Sequence, residues 1–283
     1  MKYKFYGLPL HYGADSIGIN YGIDELKKEL QKKKADVIEK IEVANEQENG
    51  HLKYIKYLNS ITKSCTTLAE KVNQTVKNDQ IPVIIGGDHS IAMGSISGVA
   101  KEKEIGVIWV DAHGDMNTHE TTVTGNIHGM PLAALQGYGH EKLVNIFYNG
   151  AKIKTSNVVI FGARNLDYRE KLFIEQLGIK IVYYRDIVSN GFKQEMRQAV
   201  NYLLERVNKI HLSFDLDVID PNFLPGVSIP VEGGISVAEA DYLFDFFIQN
   251  NLLSSVDIVE YNPMFDSNHV TRDFVIHLLK KFK

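Results

Sequence analysis

Short runs of valine and isoleucine alternate with longer segments of helical pattern through most of this 283-residue chain. Such runs are typical of parallel strands that are buried on both faces, because the crossover between parallel strands is usually a helix. We predict strands at 3–8, 82–85, 105–110, 158–162, 180–184, 210–214 and 256–260. The fold class is therefore α/β, with helices on both faces of a parallel sheet. We see no internal repeat and no Pro/Gly-rich linker, so a single domain over 1–283 is expected.

Helices are predicted where apolar residues recur at helical spacing between the strands. The polar stretch 42–50 is predicted to be a loop, and Trp109, inside a predicted strand, is assigned to the core. The predicted helices are 23–41, 51–76, 90–103, 168–177, 193–207, 236–250 and 271–283.

Composition excludes several classes of protein. The 31 Lys and Arg residues against 35 Asp and Glu leave a net charge of −4, which lacks the basic surface that nucleic acids attract. No apolar run approaches the ~18 residues of a membrane span. The single cysteine, Cys65, rules out an internal disulfide framework. The N-terminus lacks the apolar core of a signal peptide, so we expect a cytoplasmic protein with no nucleic-acid or membrane partner.

Acidic and imidazole side chains follow four of the predicted strands. Parallel strands bring their carboxyl ends to one edge of the sheet, where α/β proteins bind ligands. These side chains should therefore lie close together. In chain order they are Asp88 and His89, Asp111 with His113 and Asp115, Asp215 with Asp217, and Glu260.

A cluster of buried carboxylates repels itself unless cations neutralise it. Two divalent metal ions would do so, and they would also lower the pKa of a shared water until it becomes a hydroxide nucleophile. Mixed carboxylate and imidazole ligands suit Mn²⁺, with Fe²⁺, Co²⁺, Ni²⁺ or Zn²⁺ as alternatives. In isolation, Asp215 and Asp217 would fit a helix cap equally well, and His89 an ordinary loop histidine. The conjunction of motifs at one sheet edge favours the metal centre.

At these residues the sequence resembles the ureohydrolase family, which includes arginase, agmatinase and formimidoylglutamase. The motifs that carry the resemblance are Gly86-Gly87-Asp88-His89-Ser90, Asp111-Ala112-His113-Gly114-Asp115, Ser213-Phe214-Asp215-Leu216-Asp217 and Glu260-Tyr261-Asn262-Pro263. The resemblance implies one three-layer αβα domain with a mostly parallel sheet of about eight strands. It also implies two Mn²⁺ ions, hydrolysis of a guanidino group to release urea, and a homo-oligomer, either a trimer or a hexamer.

Carried over by position, the resemblance divides the ligands between two ions that share two aspartates. One ion would be held by His89, Asp111, Asp115 and Asp215. The other would be held by Asp111, His113, Asp215 and Asp217.

The segment after Asp115 is similar to arginase in particular, which implies L-arginine as the substrate and L-ornithine and urea as the products. Neutral donors would bind the α-carboxylate of arginine, and two acids would face its α-amino group. The implied carboxylate-binding residues are Asn117, Thr124 and Asn126, and the implied amino-binding residues are Asp167 and Glu170. As isolated residues, each of these also fits an ordinary loop or helix-capping role.

The resemblance implies catalytic roles as well. A hydroxide bridging the two metals would attack the guanidinium carbon, with Asp115 accepting its hydrogen bond. Glu260 would pair with the guanidinium, and His128 would carry a proton to the leaving amine. Ser236 would accept a guanidinium hydrogen bond.

Two alternatives stay open. The chain could be another ureohydrolase, such as an agmatinase, guanidinobutyrase or formimidoylglutamase. It could also be a catalytically silent family member with a binding role, although such a protein would not need a complete set of metal ligands with His128 and Glu260.

Overall fold

A computed structural model describes residues 2–35, 37–48 and 54–282. In these residues eight strands form one sheet, and all neighbouring strands are parallel. Their order across the sheet is β2-β1-β3-β8-β7-β4-β5-β6. In chain order the strands are β1 (Tyr3–Leu8), β2 (Ile38–Lys40), β3 (Ile81–Gly86), β4 (Gly106–Val110), β5 (Val158–Ala163), β6 (Lys180–Tyr183), β7 (Ile210–Asp215) and β8 (Leu253–Val259).

Helices cover both faces of the sheet. Apolar side chains of α1, α8, α9 and α10 pack on one face, and those of α2, α3, α4 and α6 pack on the other, which confirms the predicted three-layer αβα class. No helix of the described residues is long and apolar enough to cross a membrane. The α-helices are α1 (Gly22–Lys32), α2 (Leu58–Lys77), α3 (Ala92–Ala100), α4 (Pro131–Leu135), α5 (Glu141–Val144), α6 (Tyr168–Leu177), α7 (Tyr184–Asn190), α8 (Phe192–Leu204), α9 (Val237–Gln249) and α10 (Val270–Lys280).

The central strands are buried on both faces. In β4, Ile108 and Val110 join the apolar cluster on one side of the sheet, whereas Val107 and Trp109 join the cluster on the other. Successive side chains of a strand alternate between faces, so a strand with two buried faces is mostly apolar, although β7 and β8 also carry buried polar residues such as His211 and Asp257. This is why the strands could be predicted from continuous apolar runs.

The strand order places four strands with polar ends next to one another. These strands are β3, β8, β7 and β4, in that order across the sheet. The last strand of the chain, β8, pairs with β3 on one side and with β7 on the other. Residues far apart in sequence therefore meet at one edge of the sheet.

Local sequence explains how the helices near this edge begin and end. The helix α6 starts with a capping box, in which Asp167 and Glu170 satisfy each other's backbone N–H groups. It ends at Gly178, whose φ of 65° is the left-handed conformation that glycine adopts readily.

The structure corrects two of the predicted helices. The helix predicted over 23–41 ends at Lys32, Lys34 has a φ of 52°, and Ile38–Lys40 forms the short strand β2 instead. The helix predicted over 51–76 begins at Leu58, and residues 51–53 lie outside the described residues. The segment Tyr184–Asn190 is helix α7, which the apolar pattern did not predict.

Gly87 occupies a position where the chain comes very close to another segment. A Cβ atom at this position would lie 1.8 Å from the carbonyl oxygen of Leu10. The backbone of the same segment is tied to Leu8 and Leu10, since Gly87 N donates to Leu8 O and Asp88 N donates to Leu10 O. Only glycine fits here, and the contact holds the loop after β1 against the end of β3.

Candidate active site

Histidine and aspartate side chains from three of the central strands form a buried cluster. The Nδ1 atom of His89 lies 2.9 Å from Asp111 Oδ2. The same atom lies 3.2 Å from Asp115 Oδ2 and 3.2 Å from Asp215 Oδ2. His89 and Asp111 are each 1% exposed, so water contributes little to neutralising this cluster.

His89 Nδ1 has no hydrogen-bond partner among the described residues, although three carboxylate oxygens surround it. A buried ring nitrogen without a partner is costly. A metal ion coordinated by that nitrogen and the three oxygens would satisfy all of them. This orphaned atom is the observation in the structure that fits a metal best.

A second group of donor atoms lies beside the first. His113 Nδ1 is 3.4 Å from Asp111 Oδ1 and 3.0 Å from Asp217 Oδ2. Each group consists of three atoms within 4.8 Å of one another, and both groups contain Asp111. The donors are carboxylate oxygens and imidazole nitrogens, the set that suits divalent ions such as Mn²⁺, Fe²⁺ or Zn²⁺.

Most carboxylates of the cluster are in an environment that disfavours their charge, whereas at Asp111 burial is outweighed by His113 and His89, which hold its pKa well below the ordinary range. Burial raises the pKa of Asp215 well above its ordinary range, and the neighbouring Asp217 and Asp111 carboxylates raise it further. Burial and the Asp111 carboxylate likewise raise the pKa of Asp115 to about 6. A divalent cation would reverse both effects because it stabilises the ionised form.

Residues behind the cluster orient its members. Ser213 Oγ lies 2.8 Å from His89 Nε2, and the indole of Trp109 stacks on the His89 ring at a centroid distance of 3.9 Å. Trp109 Nε1 also donates to Asp111 Oδ2 over 3.1 Å. The sequence predicts only a core position for Trp109. Trp109 lies two residues before Asp111 and on the same face of the strand, and this spacing could have indicated its contact with the cluster.

A cavity opens above these ligands. Most of the residues predicted for catalysis and substrate binding line it, together with His113, Asp215 and Asp217, while His89 and Asp111 lie buried beneath. The structure therefore brings these predicted residues together, and it adds Thr122, Gly129, Asn165, Val227 and Ile229 to the lining. The predicted residues in the lining are Asp115, His128, Glu260, Asn117, Thr124, Asn126, Asp167 and Glu170.

His128 and Glu260 form a pair in this cavity. His128 Nδ1 lies 3.1 Å from Glu260 Oε1, which also accepts a hydrogen bond of 2.9 Å from the backbone N–H of His89. Burial lowers the pKa of His128, but the Glu260 carboxylate outweighs burial and raises it to about 9. Glu260 and Asp115 both have positive φ angles, of 68° and 50°, and such strained backbone clusters at functional sites.

The three residues predicted to bind a carboxylate all line the cavity. Asn117 Nδ2 donates to Asp167 Oδ2 over 3.0 Å, and Asn126 Nδ2 donates to Ala14 O over 3.1 Å. Thr124 Oγ1 accepts from the backbone N–H of Asn126. An amide nitrogen has two N–H groups and a hydroxyl has one O–H, so each of these side chains retains a donor for a ligand.

Asp167 and Glu170 line the cavity and also cap helix α6. Glu170 Oε1 accepts from Met116 N over 2.9 Å, and Glu170 Oε2 accepts from Asp167 N over 3.2 Å. Burial raises the pKa of Glu170 to about 8, and the Asp115 and Asp167 carboxylates add to the increase. A cationic group bound here would favour its ionised form.

Ser236 is the predicted site residue that the structure places elsewhere. It does not line the cavity. Its side chain is the N-cap of helix α9, where Oγ accepts from Glu239 N over 3.2 Å and donates to Glu239 Oε2 over 2.8 Å. Ser236 is thus engaged in a capping box, which the Ser-x-x-Glu spacing could have indicated, and its guanidinium contact stays a prediction.

Asp88 received no role in the sequence analysis, although it belongs to the first motif. Its carboxylate accepts hydrogen bonds from Gly13 N over 2.8 Å and from Ser90 N over 3.0 Å. The Gly13 carbonyl in turn accepts from His128 N over 3.2 Å. Asp88 thus connects the end of β3 to the loop that carries His128.

Comparison with known proteins agrees with this geometry. The model of the arginase family matches residues 2–282. The arginase of Bacillus caldovelox is 38% identical over an alignment that covers 96% of this chain and 95% of the relative. The arginase of Bacillus subtilis strain 168 is 43% identical over 80% of this chain and 76% of the relative.

Solved structures give the same result. The crystal structure of arginase from Bacillus cereus superposes with a TM-score of 0.90 at 36% identity, covering 100% of this chain and 98% of the other. Family, fold and the predicted resemblance agree over nearly the whole sequence. This chain belongs to the arginase family.

Proposed function

We propose that this chain is a hydrolase that cleaves the guanidino group of L-arginine to L-ornithine and urea in the cavity above the central strands. One observation supports this most. Two groups of metal-ligand atoms share Asp111, and they adjoin a cavity that contains the His128–Glu260 pair. The curated relatives at 38% and 43% identity are named arginases, which supports the same substrate.

Two metal ions would be held by the buried cluster, and Mn²⁺ is the proposed ion, with Fe²⁺, Co²⁺, Ni²⁺ and Zn²⁺ as alternatives. The orphaned His89 Nδ1 and the raised pKa values of Asp115 and Asp215 support a cationic occupant. One ion would be held by His89, Asp111, Asp115 and Asp215, and the other by Asp111, His113, Asp215 and Asp217.

When bound, the ions would lower the pKa of a water molecule toward neutrality and so supply a hydroxide nucleophile at neutral pH. Asp115 would orient that nucleophile. Its carboxylate faces the cavity and the cluster at once, and its φ of 50° is held by Leu132 N and Ala133 N, which both donate to Asp115 O. A rigid acceptor at this point fixes the direction of attack.

Glu260 would bind the guanidinium group of the substrate. Both hydrogen bonds that it accepts from the described residues end on Oε1, which leaves Oε2 to accept guanidinium N–H groups. A carboxylate is the natural partner of a planar guanidinium. The bond from His89 N fixes Glu260 relative to the metal ligands, and so fixes the guanidinium carbon relative to the nucleophile.

His128 would move the proton that the leaving amine requires. Its Nδ1 is engaged by Glu260, so Nε2 is the ring nitrogen that can give a proton to the leaving nitrogen. In the metal-free protein burial lowers the pKa of His128, but the Glu260 carboxylate raises it to about 9, and the protonated imidazole that this pairing favours is the state that a general acid needs.

The amino-acid end of the substrate would lie against the cavity wall. Asn117, Thr124 and Asn126 would donate to the α-carboxylate, because each retains a free donor. Asp167 and Glu170 would face the α-amino group. Neutral donors suit this task because a carboxylate must be bound here beside an acid-rich cluster.

We also propose that the chain forms one domain over 1–283, that it assembles as a homo-oligomer, either a trimer or a hexamer, and that it acts in the cytoplasm. The match of the family model to residues 2–282 supports the single domain.

The direct experiment measures product release by the Mn²⁺-loaded protein. The product measured is urea for the three guanidino substrates, with ornithine as the second product of arginine, and formamide for formiminoglutamate. The substrates should be L-arginine, agmatine, guanidinobutyrate and formiminoglutamate at equal concentrations, with metal content quantified in the same samples. We expect turnover of L-arginine to exceed that of the others, and an Asp111→Asn variant to be inactive. Urea release from agmatine but not from arginine would overturn the assignment of arginine as the substrate. Wild-type activity in the Asp111→Asn variant would overturn the proposed metal centre.

A further inference from the structure

Arg164, directly after β5, makes an unusual set of contacts. Its partly buried guanidinium donates to four backbone carbonyl oxygens and to no carboxylate among the described residues. Nη2 donates to Asp217 O over 2.7 Å and to Val231 O over 3.0 Å. Nη1 donates to Val218 O over 3.2 Å, and Nε donates to Glu232 O over 3.1 Å. One side chain thus joins the segment after β7 to the loop around residues 231–232.

The backbone at Arg164 joins a third segment to these two. Arg164 N and Asn165 N both donate to Ala112 O, over 2.8 and 3.0 Å. Ala112 N in turn donates to Asp217 Oδ1 over 3.1 Å. Hydrogen bonds therefore run from Arg164 to Ala112, from Ala112 to the Asp217 side chain, and from the Asp217 carbonyl back to Arg164.

This closed set of bonds surrounds one half of the proposed metal centre. Ala112 lies between Asp111 and His113 in sequence, and His113 Nδ1 is 3.0 Å from Asp217 Oδ2. The separation of the His113 and Asp217 donors is thus determined by two segments that Arg164 holds together. His89 and Asp115, in the other half, make no hydrogen bond with Arg164.

The loop that receives the guanidinium is closely fitted to it. Gly234 has a φ of 128°, and a Cβ there would lie 2.4 Å from Val218 O and 2.9 Å from Arg164 Nη2. A side chain at this position would push the loop away from Arg164. The absence of a side chain at Gly234 therefore allows the loop to lie close enough to accept the hydrogen bonds of Arg164.

We propose that Arg164 is a positioning residue that sets the distance between His113 and Asp217, and thereby the affinity of that half of the centre for its metal ion. The proposal rests on the two-metal site proposed above. Only the planar fork of arginine can reach four carbonyls in different directions, because lysine offers a single nitrogen. Residues that orient metal ligands from behind typically change metal affinity by about 10–100-fold when they are replaced.

The positive charge of Arg164 allows a positioning effect on metal affinity to be distinguished from a purely electrostatic effect. A positive side chain near a metal centre repels cations, so its removal alone would strengthen metal binding. Positioning predicts the opposite sign. Positioning also predicts that Arg164→Lys, which keeps the charge, is impaired like Arg164→Met.

The test is calorimetric titration of the metal-free full-length protein with Mn²⁺, comparing wild type with Arg164→Lys and Arg164→Met. We expect two ions to bind to each protein, with one of the two bound about 10–100-fold more weakly in both variants. At limiting Mn²⁺ the kcat for arginine should fall, and saturating Mn²⁺ should restore it without a change in KM. The matched control is Arg185→Met, an exposed arginine that stacks on Tyr183 and should bind both ions like wild type.

Several outcomes would overturn the proposal. They are wild-type affinity in both variants, tighter binding in Arg164→Met, and loss of the native circular dichroism spectrum in both variants, since a residue that positions one segment should leave the fold intact. A wild-type protein that does not bind two ions would instead overturn the metal centre itself, so the two failures can be told apart.

Discussion

The imidazole of His128 and the carboxylate of Glu260 are 3.1 Å apart although 132 positions separate them in the chain. Glu260 Oε1 also accepts the backbone N–H of His89, so a single oxygen connects the proposed proton carrier to the backbone of a proposed metal ligand. The pair therefore belongs to the cavity and to the buried cluster at the same time. Two predictions follow from it directly.

Replacing His128 should remove the proton donor without disturbing the metal ions. We expect His128→Asn to lower the kcat for arginine by about 10²–10⁴-fold, the usual contribution of general acid catalysis. Metal content, measured by elemental analysis, should not change. The control is His277→Asn, because His277 is exposed and paired with Asp241. Turnover in His128→Asn equal to that of the control would show that another group carries the proton.

The same pair should make the stability of the metal-free protein depend on pH. Burial lowers the pKa of His128, but Glu260 raises it to about 9, against ~6.5 in the unfolded chain. The stabilisation is thus complete below about pH 6.5 and is lost as the pH rises through about 9. The difference in unfolding free energy between wild type and His128→Asn should shrink by at most about 3 kcal/mol between pH 6 and pH 10. Urea denaturation with a chelator present measures it, and a constant difference would contradict the pairing.

The wall that faces the amino-acid end should discriminate arginine from agmatine, which has no α-carboxylate. We expect Thr124→Val, a nearly isosteric change, to lower kcat/KM for arginine by about 10-fold or more, as expected for a hydrogen bond to a charged group. Agmatine serves as the internal control because it lacks the group that Thr124 would bind. An equal loss with both substrates would place Thr124 in general support of the loop.

Asp111 belongs to both donor groups, whereas Asp217 belongs to one. We therefore expect Asp111→Asn to lose both ions and Asp217→Asn to retain one, as counted by metal analysis after desalting. Mn²⁺ at 100 times the dissociation constant should stabilise the wild type by about 3 kcal/mol for each ion bound. It should stabilise Asp111→Asn hardly at all. An equal metal content in the two variants would exclude the shared role of Asp111.

Close packing at the end of β3 should make Gly87 intolerant of any side chain. A Cβ would lie 1.8 Å from Leu10 O, so Gly87→Ala should cost more than about 3 kcal/mol or prevent folding. Gly129→Ala is the control, since a Cβ there has no neighbour within 4 Å. Thermal unfolding of the two variants compares them, and similar midpoints would mean that the loop after β1 yields easily.

The parts of the molecule that could be predicted are those that depend on residue type. Strands such as β4 are buried on both faces, so their residues are all apolar, and the acids that follow them interrupt the pattern sharply. The strand β2 was missed because its three residues include Glu39 and Lys40. The pairing of such a short edge strand is decided by its partner β1.

Contacts to the backbone could not be predicted from residue types. Every residue has a carbonyl group, so nothing in the sequence marks Asp217, Val218, Val231 and Glu232 as the acceptors of Arg164. The same holds for Glu260, whose bond to His89 N depends on the conformation of the segment after β3. Ser236 is a different case. Its residue type fits a substrate contact, but its hydroxyl caps the N-terminus of helix α9.

The place of β8 in the sheet bears on how the protein is made. This strand is the last to leave the ribosome, yet it separates β3 from β7 and β4. A growing polypeptide can contain His89, Asp111 and Asp217 before β8 has been made, and β3, which leads to His89, then lacks the strand that connects it to β7. All six proposed metal ligands precede residue 253 in the sequence, so a truncated product that ends there would carry every ligand without the strand that lies between β3 and β7.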